Sequence, residues 1–181
     1  HSDQSYQSEP ATGTFLYSVE VPTEGGNTYF ANLHLAYEHL PQSLKNTVKG
    51  RRGVFSYARR VAGYEEEKDL KPEMKLKTPD ISHALVQMHP VSGRESLYFD
   101  PSTVIGIEGL ADEEAEPILK EITTHVTNPQ FTHCHEWQAG DLVMWDNGFT
   151  MHRRDSYDAE QRRFLKRTSV RLPPELHIVP N

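Results

Sequence analysis

Residues 131–170 read FTHCHEWQAG DLVMWDNGFT MHRRDSYDAE QRRFLKRTSV, and the expected architecture follows from how this segment divides. Four short runs, Phe131 to Trp137, Asp141 to Trp145, Phe149 to His152 and Arg163 to Val170, are separated by turns such as Ala139-Gly140-Asp141. Runs of this length bounded by turn residues are strands. Towards the N-terminus, Gly13 to Val21 alternates Phe15, Tyr17 and Val19 against Leu16, Ser18 and Glu20 until Pro22 stops it. The turn cluster Glu24-Gly25-Gly26-Asn27 leads into the extended piece Thr28 to Ala31. Helical spacing covers Leu33 to Leu40, and Pro41 starts a shorter helix ending at Gly50. Val54 to Tyr57, Ser82 to Met88 and Val104 to Ile107 read as strands, with Leu97 to Phe99 returning from Ser82–Met88 as a hairpin partner through Pro90 to Gly93. One long helix follows Asp112, with Ile118, Leu119, Ile122 and Val126 on one face; Pro117 is expected in its first turn, and Asn128-Pro129 ends it. Glu65 to Asp80, charged and carrying Pro72 and Pro79, reads as a long surface loop of the kind that covers sites. Many short strands with few helices predict a mainly β domain with flanking helices, an antiparallel sandwich or barrel.

Composition narrows the class. The chain has 181 residues, which suits one domain, and a formal net charge of −7. Phosphate backbones are held by clustered Lys and Arg, so the acidic balance argues against a nucleic-acid partner. No apolar run is long enough for a membrane span. The single cysteine, Cys134, has no internal disulfide partner, which favours a reducing cytosol and a cytoplasmic location. The sequence leaves open a homo-oligomer.

His1 and Asp3 stand two residues apart, so in an extended segment their side chains share a face. Ten histidines and 26 acidic residues make such a pair unremarkable by itself. Its weight comes from Trp145-Asp146-Asn147 ahead of His152, followed by Arg163 and Arg167. Two imidazoles and one carboxylate on one side of a metal leave the opposite side open, the arrangement of non-haem Fe(II) oxygenases. Arg163, Leu165 and Arg167 share a strand face, with the two Arg α-carbons roughly 13 Å apart, so each arginine can meet a separate anion. His133 and His135 flank Cys134 at strand spacing, but have no evident further zinc ligands; His135 reads as a hydrogen-bonding residue beside Trp137 and Cys134 as a buried small residue. Asp146-Asn147 reads as shaping the turn before His152.

Taken in order, His1-Ser2-Asp3-Gln4-Ser5-Tyr6, Gly25-Gly26-Asn27-Thr28, Trp145-Asp146-Asn147 with His152, Asp155-x-Tyr157, Arg162-Arg163 and Arg167-Thr168 resemble the taurine dioxygenase/chlorophenoxyacetate dioxygenase family of Fe(II)- and 2-oxoglutarate-dependent enzymes. The resemblance implies a double-stranded β-helix, a cupin-like jelly roll, over a single catalytic domain, residues 1–181, without the segment that precedes the His-x-Asp motif in family members. It makes His1, Asp3 and His152 the iron ligands, with dioxygen and 2-oxoglutarate as cosubstrates. Thr28 and Arg163 match the positions that hold the distal carboxylate of 2-oxoglutarate. Arg167 matches the position that takes the anionic group of the primary substrate, and Tyr6 matches a pocket aromatic. Gly148 departs from the pattern, because relatives usually carry an arginine there.

The implied activity is hydroxylation of a small anionic organic substrate, a sulfonate, carboxylate or phenoxy acid, with succinate and CO2 as co-products. Arg167 is expected as an inward cation awaiting that anion. Two rivals remain at the level of sequence: a non-catalytic or degenerate jelly-roll binding module, and a zinc hydrolase using some of the same ligands. A hydrolase has no need of the dicarboxylate anchor that Thr28 and Arg163 imply.

Overall fold

The computed structural model describes residues 1–62 and 78–178. Among these, eleven strands and four helices follow one another as β1 (Gly13–Glu20), β2 (Thr28–Asn32), α1 (Leu33–Glu38), α2 (Gln42–Val48), β3 (Arg52–Phe55), α3 (Tyr57–Ala62), β4 (Ile81–Ala84), β5 (Val86–Met88), β6 (Glu95–Leu97), β7 (Val104–Ile107), α4 (Asp112–Val126), β8 (Thr132–His135), β9 (Leu142–Asp146), β10 (Thr150–Arg154) and β11 (Phe164–Val170). The expected loop from Glu65 to Asp80 lies outside the described residues except for its last three. Among the described residues no helix is long and apolar enough to cross a membrane.

Every strand pairing is antiparallel. One sheet has the order β11-β1-β9, a second β10-β2-β8, a third β4-β3-β7, and β5 pairs with β6 alone. In the first sheet the alternation of β1 is present, but its sense is unusual. The polar Thr14 and Ser18 are buried, while Tyr17 lies on the outer face with Leu142 and Met144, the last two each 66% exposed. The first two sheets meet through aromatic side chains: the Trp145 ring of β9 lies 5.2 Å from Phe30 of β2 and 4.8 Å from His152 of β10.

The apolar core lies on the other side of the second sheet, where Leu33, Ala36 and Tyr37 of α1 and Ile122 and Val126 of α4 pack with Phe55, Leu97 and Phe99. Helix α4 starts with Asp112, Glu113 and Glu114 against the positive end of its dipole, and the Glu114 carboxylate accepts from the Ala111 N–H at 3.1 Å. It buries the expected face, fully at Ile122 and Val126 and partly at Ile118 and Leu119. Pro117 stands in its second turn, not its first, so the helix gives up the bond a residue there would make to the Glu113 carbonyl.

Two further expectations are corrected. Ser82 to Met88 is not one strand: the chain bends at Leu85, whose N–H bonds to Arg51 and whose carbonyl receives Tyr98, so β4 and β5 enter different sheets. The fully buried Leu85 is held from both sides, and β5 pairs with Glu95–Leu97, two residues before the expected partner. Tyr57, expected at a strand end, begins α3.

His83 in β4 is enclosed by Phe55 and Tyr98, with ring centroids at 5.5 and 5.4 Å, and its Nε2 donates to the Gln7 carbonyl at 3.0 Å. Burial, the largest effect, pushes its pKa below the ordinary histidine value. Below pH 6.5 the unfolded chain therefore binds a proton that the folded chain resists, and stability falls as pH is lowered, by at most about 1.4 kcal/mol per pH unit from this residue. Urea midpoints at pH 7.5 and 5.5 should show a larger acid loss in the parent than in His83→Gln; equal losses would contradict the assignment.

Candidate metal centre

The segment His1-Ser2-Asp3 is laid along β10 by two main-chain bonds: His152 N donates to His1 O at 2.8 Å, and His1 N donates to His152 O at 2.9 Å. Alternation then sorts the side chains. Ser2 turns away and its hydroxyl donates to the Asn147 carbonyl at 2.7 Å, whereas His1 and Asp3 face His152. His1 Nε2 stands 3.6 Å and His152 Nε2 3.8 Å from Asp3 Oδ1, and the two imidazole centroids are 4.2 Å apart.

These donors fit a divalent ion. Adjacent ligand atoms on an ion with bonds near 2.1 Å stand about 3.0–3.4 Å apart, so small side-chain adjustments suffice. The carboxylate is 4% exposed, and burial pushes the His152 pKa down to about 4, outweighing the attraction of Asp3 for its proton. The ring is therefore neutral at physiological pH, the form that ligates metals. Its buried Nδ1 has no hydrogen-bond partner among the described residues.

Behind these three side chains lies a set of contacts that the sequence did not disclose. Thr14 donates to Asp3 Oδ2 at 2.7 Å, Asn147 Nδ2 donates to Thr14 Oγ1 at 3.0 Å, and Trp145 Nε1 donates to Asn147 Oδ1 at 2.9 Å. Asn147 also bonds Ala11 O through its side chain and Thr12 O through its N–H. Asn147 thus orients the Asp3 carboxylate through Thr14, a larger role than the expected turn. Asp146 does make that turn, its Oδ1 accepting from Gly148 N at 2.8 Å. The signal that could have found Thr14 is a polar side chain at an inward position of a strand, and buried polar groups need partners.

The remaining candidates occupy the surroundings. Arg163, just ahead of β11, bends to the Gly25-Gly26 turn and donates from Nε to Gly26 O at 2.9 Å. Gly26 has φ +68, and a Cβ there would lie 3.0 Å from Arg163 Cδ, so both conformation and proximity favour glycine. Burial, aided by Arg154, pulls the Arg163 pKa down. Thr28, two residues further on, accepts from Trp137 Nε1 at 2.9 Å, and its own hydroxyl proton has no acceptor among the described residues. Tyr6 packs its ring 4.8 Å from that of Tyr57.

Arg167 differs from expectation. It is no unpaired cation: Nη2 lies 2.7 Å from Asp3 Oδ1, and the side chain is 46% exposed. The inward face of β11 puts it beside the deeply buried Asp3 carboxylate, which attracts it. His135 bonds Asp141 at 3.1 Å and packs on Trp137 as expected, whereas Cys134 is half-buried, not enclosed.

The model of the taurine catabolism dioxygenase TauD, TfdA family matches residues 1–169. The chain is 35% identical over 170 residues to an alpha-ketoglutarate-dependent 2,4-dichlorophenoxyacetate dioxygenase of Cupriavidus pinatubonensis, covering 94% of this chain and 58% of that protein. It superimposes on AAD-2 in complex with Mn(II) and N-oxalylglycine with a TM-score of 0.87 and 33% identity, over 99% of this chain and 69% of the other. A taurine dioxygenase from Burkholderia xenovorans matches with a TM-score of 0.81 and 32% identity, over 99% and 57%. The chain therefore spans less than two thirds of the length of the curated relative.

Contacts that orient a ligand carboxylate typically govern metal affinity by 10–100-fold. Mn(II) binding should weaken by about that factor in Asn147→Ala and in Thr14→Val, with far-ultraviolet circular dichroism unchanged. Parent-like Mn(II) affinity in both folded variants would remove the orienting role.

Proposed function

Because the chain belongs to the taurine catabolism dioxygenase TauD, TfdA family, we propose that it carries the reaction centre of an Fe(II)- and 2-oxoglutarate-dependent dioxygenase acting on a small anionic organic substrate. The observation that carries this reading is the convergence of His1, Asp3 and His152 beside Arg167, with Arg163 held on the Gly25-Gly26 turn. The mainly β architecture, with two three-stranded antiparallel sheets meeting at Trp145, supports a double-stranded β-helix of the jelly-roll type. The single cysteine supports a cytoplasmic setting.

His1, Asp3 and His152 would hold Fe(II) from one side and leave the other to cosubstrate and oxygen. Bound iron supplies dioxygen activation, coupling 2-oxoglutarate decarboxylation to succinate with oxidation of the substrate. The protein's own part is to bind and orient. Thr28 has a hydroxyl proton to give and Arg163 a charged fork, and together they suit the distal carboxylate of 2-oxoglutarate. Arg167 steadies Asp3 through one nitrogen, and we assign its remaining, half-exposed donors to the anionic group of the substrate. Tyr6 leaves the same segment as His1 and Asp3, and its ring is assigned to the wall of the substrate pocket. Trp145 and Phe30 enclose His152 and keep water from that side.

The test is succinate formation from 2-oxoglutarate with Fe(II) and oxygen, run over sulfonates, carboxylates and phenoxy acids. Turnover should depend on Fe(II) and rise with at least one anion. Hydrogen bonds to charged groups contribute about 1.5–3 kcal/mol, so Arg163→Ala should need at least tenfold more 2-oxoglutarate at an unchanged Fe(II) requirement. No succinate with any anion, or an unchanged 2-oxoglutarate requirement in Arg163→Ala, would contradict the proposal.

A further inference from the structure

A second cluster of metal-binding side chains lies outside this centre. His89 follows β5, Asp146 ends β9 and His177 comes from the C-terminal tail, and one ligand atom from each lies within 4.8 Å of the others. His177 Nδ1 stands 2.8 Å and His89 Nε2 3.8 Å from Asp146 Oδ2. These separations bracket the roughly 3.3 Å between neighbouring donors of a tetrahedral zinc site. The carboxylate is pre-set: Gly148 N holds Oδ1, which leaves Oδ2 to face both imidazoles.

What brings the tail here is Gly148. A Cβ at that position would lie 2.7 Å from Ile178 Cβ, so any larger residue would displace Ile178, which is buried against it next to His177. The missing side chain at 148 therefore creates the seat that delivers the third ligand. His89 and Asp146 also line a cavity of about 820 Å³, shared with Phe149 and Trp145, which gives an ion a route in. The net charge of −7 favours cations generally.

We propose that His89, Asp146 and His177 form a second divalent transition-metal site, of the zinc type, that pins the C-terminal tail across the Asp146-Asn147-Gly148 turn. Two imidazoles and one carboxylate suit a first-row ion, with water completing its coordination. Ligation has one local consequence. His89 Nδ1 now accepts from Val91 N and Ser92 N, both at 3.2 Å, so binding through Nε2 moves the ring proton to Nδ1 and turns those two exposed amides to water. The site is also linked to the first, since Asp146 lies between Trp145 and Asn147, which support Asp3.

Chelator-stripped protein titrated with Zn(II) alone tests this. The parent should bind two equivalents, Asp3→Ala should keep one, and His177→Ala and His89→Ala should each lose one. Gly148→Ala, by displacing Ile178, should weaken the second equivalent at least tenfold while the first is retained. A parent whose single equivalent is lost in Asp3→Ala, or a folded His177→Ala that binds as many equivalents as the parent, would overturn the site. Because the Asp3→Ala arm reads this site alone, its outcome is independent of the dioxygenase proposal. If Asp3→Ala does not fold, His152→Ala serves in its place, and failure of that variant to retain one equivalent while folded would likewise overturn the site.

Discussion

A carboxylate buried to 4% exposure must be met by donors, because an ionised group withdrawn from water without partners is too costly to keep. Asp3 is met from three sides. Thr14 takes Oδ2, Arg167 takes Oδ1, and the imidazoles of His1 and His152 close the third side. Each partner comes from a different segment: β1, β11, the N-terminal run and β10. Satisfying one side chain therefore fixes how four pieces of chain meet, and Asn147 ties a fifth, the β9–β10 connection, to the same point.

Arg163, just ahead of β11, and Arg167 within it show how one stretch of chain serves two tasks. Four residues apart and on one face, they reach opposite ends of the site, Arg163 to Gly26 O and Arg167 to Asp3. The register of β11 against β1, with Leu16 opposite Arg167, sets both reaches at once, and a slip by one residue would turn both guanidinium groups to the outer face. Gly26 contributes by absence, since its lack of a side chain lets Arg163 lie against the turn.

Much of this was legible in the sequence where a local pattern carries the information. The short alternating runs, the turn at Gly25-Gly26, the apolar face of α4 and the ordered His-x-Asp and His152 motifs reflect constraints within a few residues or a spacing that the resemblance fixes. What escaped depends on contacts that are distant along the chain. Thr14 looks like an ordinary strand residue until Asp3 is placed 2.7 Å from it, and Leu85 looks like the middle of a strand until Arg51 and Tyr98 hold it from two sheets. Arg167 carried the right face and the wrong partner, because nothing local says which carboxylate a strand arginine will meet. Gly148 was visible as a departure, but its meaning needed Ile178, thirty residues further on and folded back against it.

On the proposed reading, the His1–Asp3–His152 cluster, once it holds a divalent ion, creates the binding place for 2-oxoglutarate next to Arg163. Calorimetric titration of 2-oxoglutarate into protein under anaerobic conditions, with and without Mn(II), tests this most directly. Mn(II) should tighten 2-oxoglutarate binding at least tenfold, about 1.4 kcal/mol of coupling, and the coupling should vanish in Asp3→Ala. Equal affinity with and without the ion in the parent would contradict it.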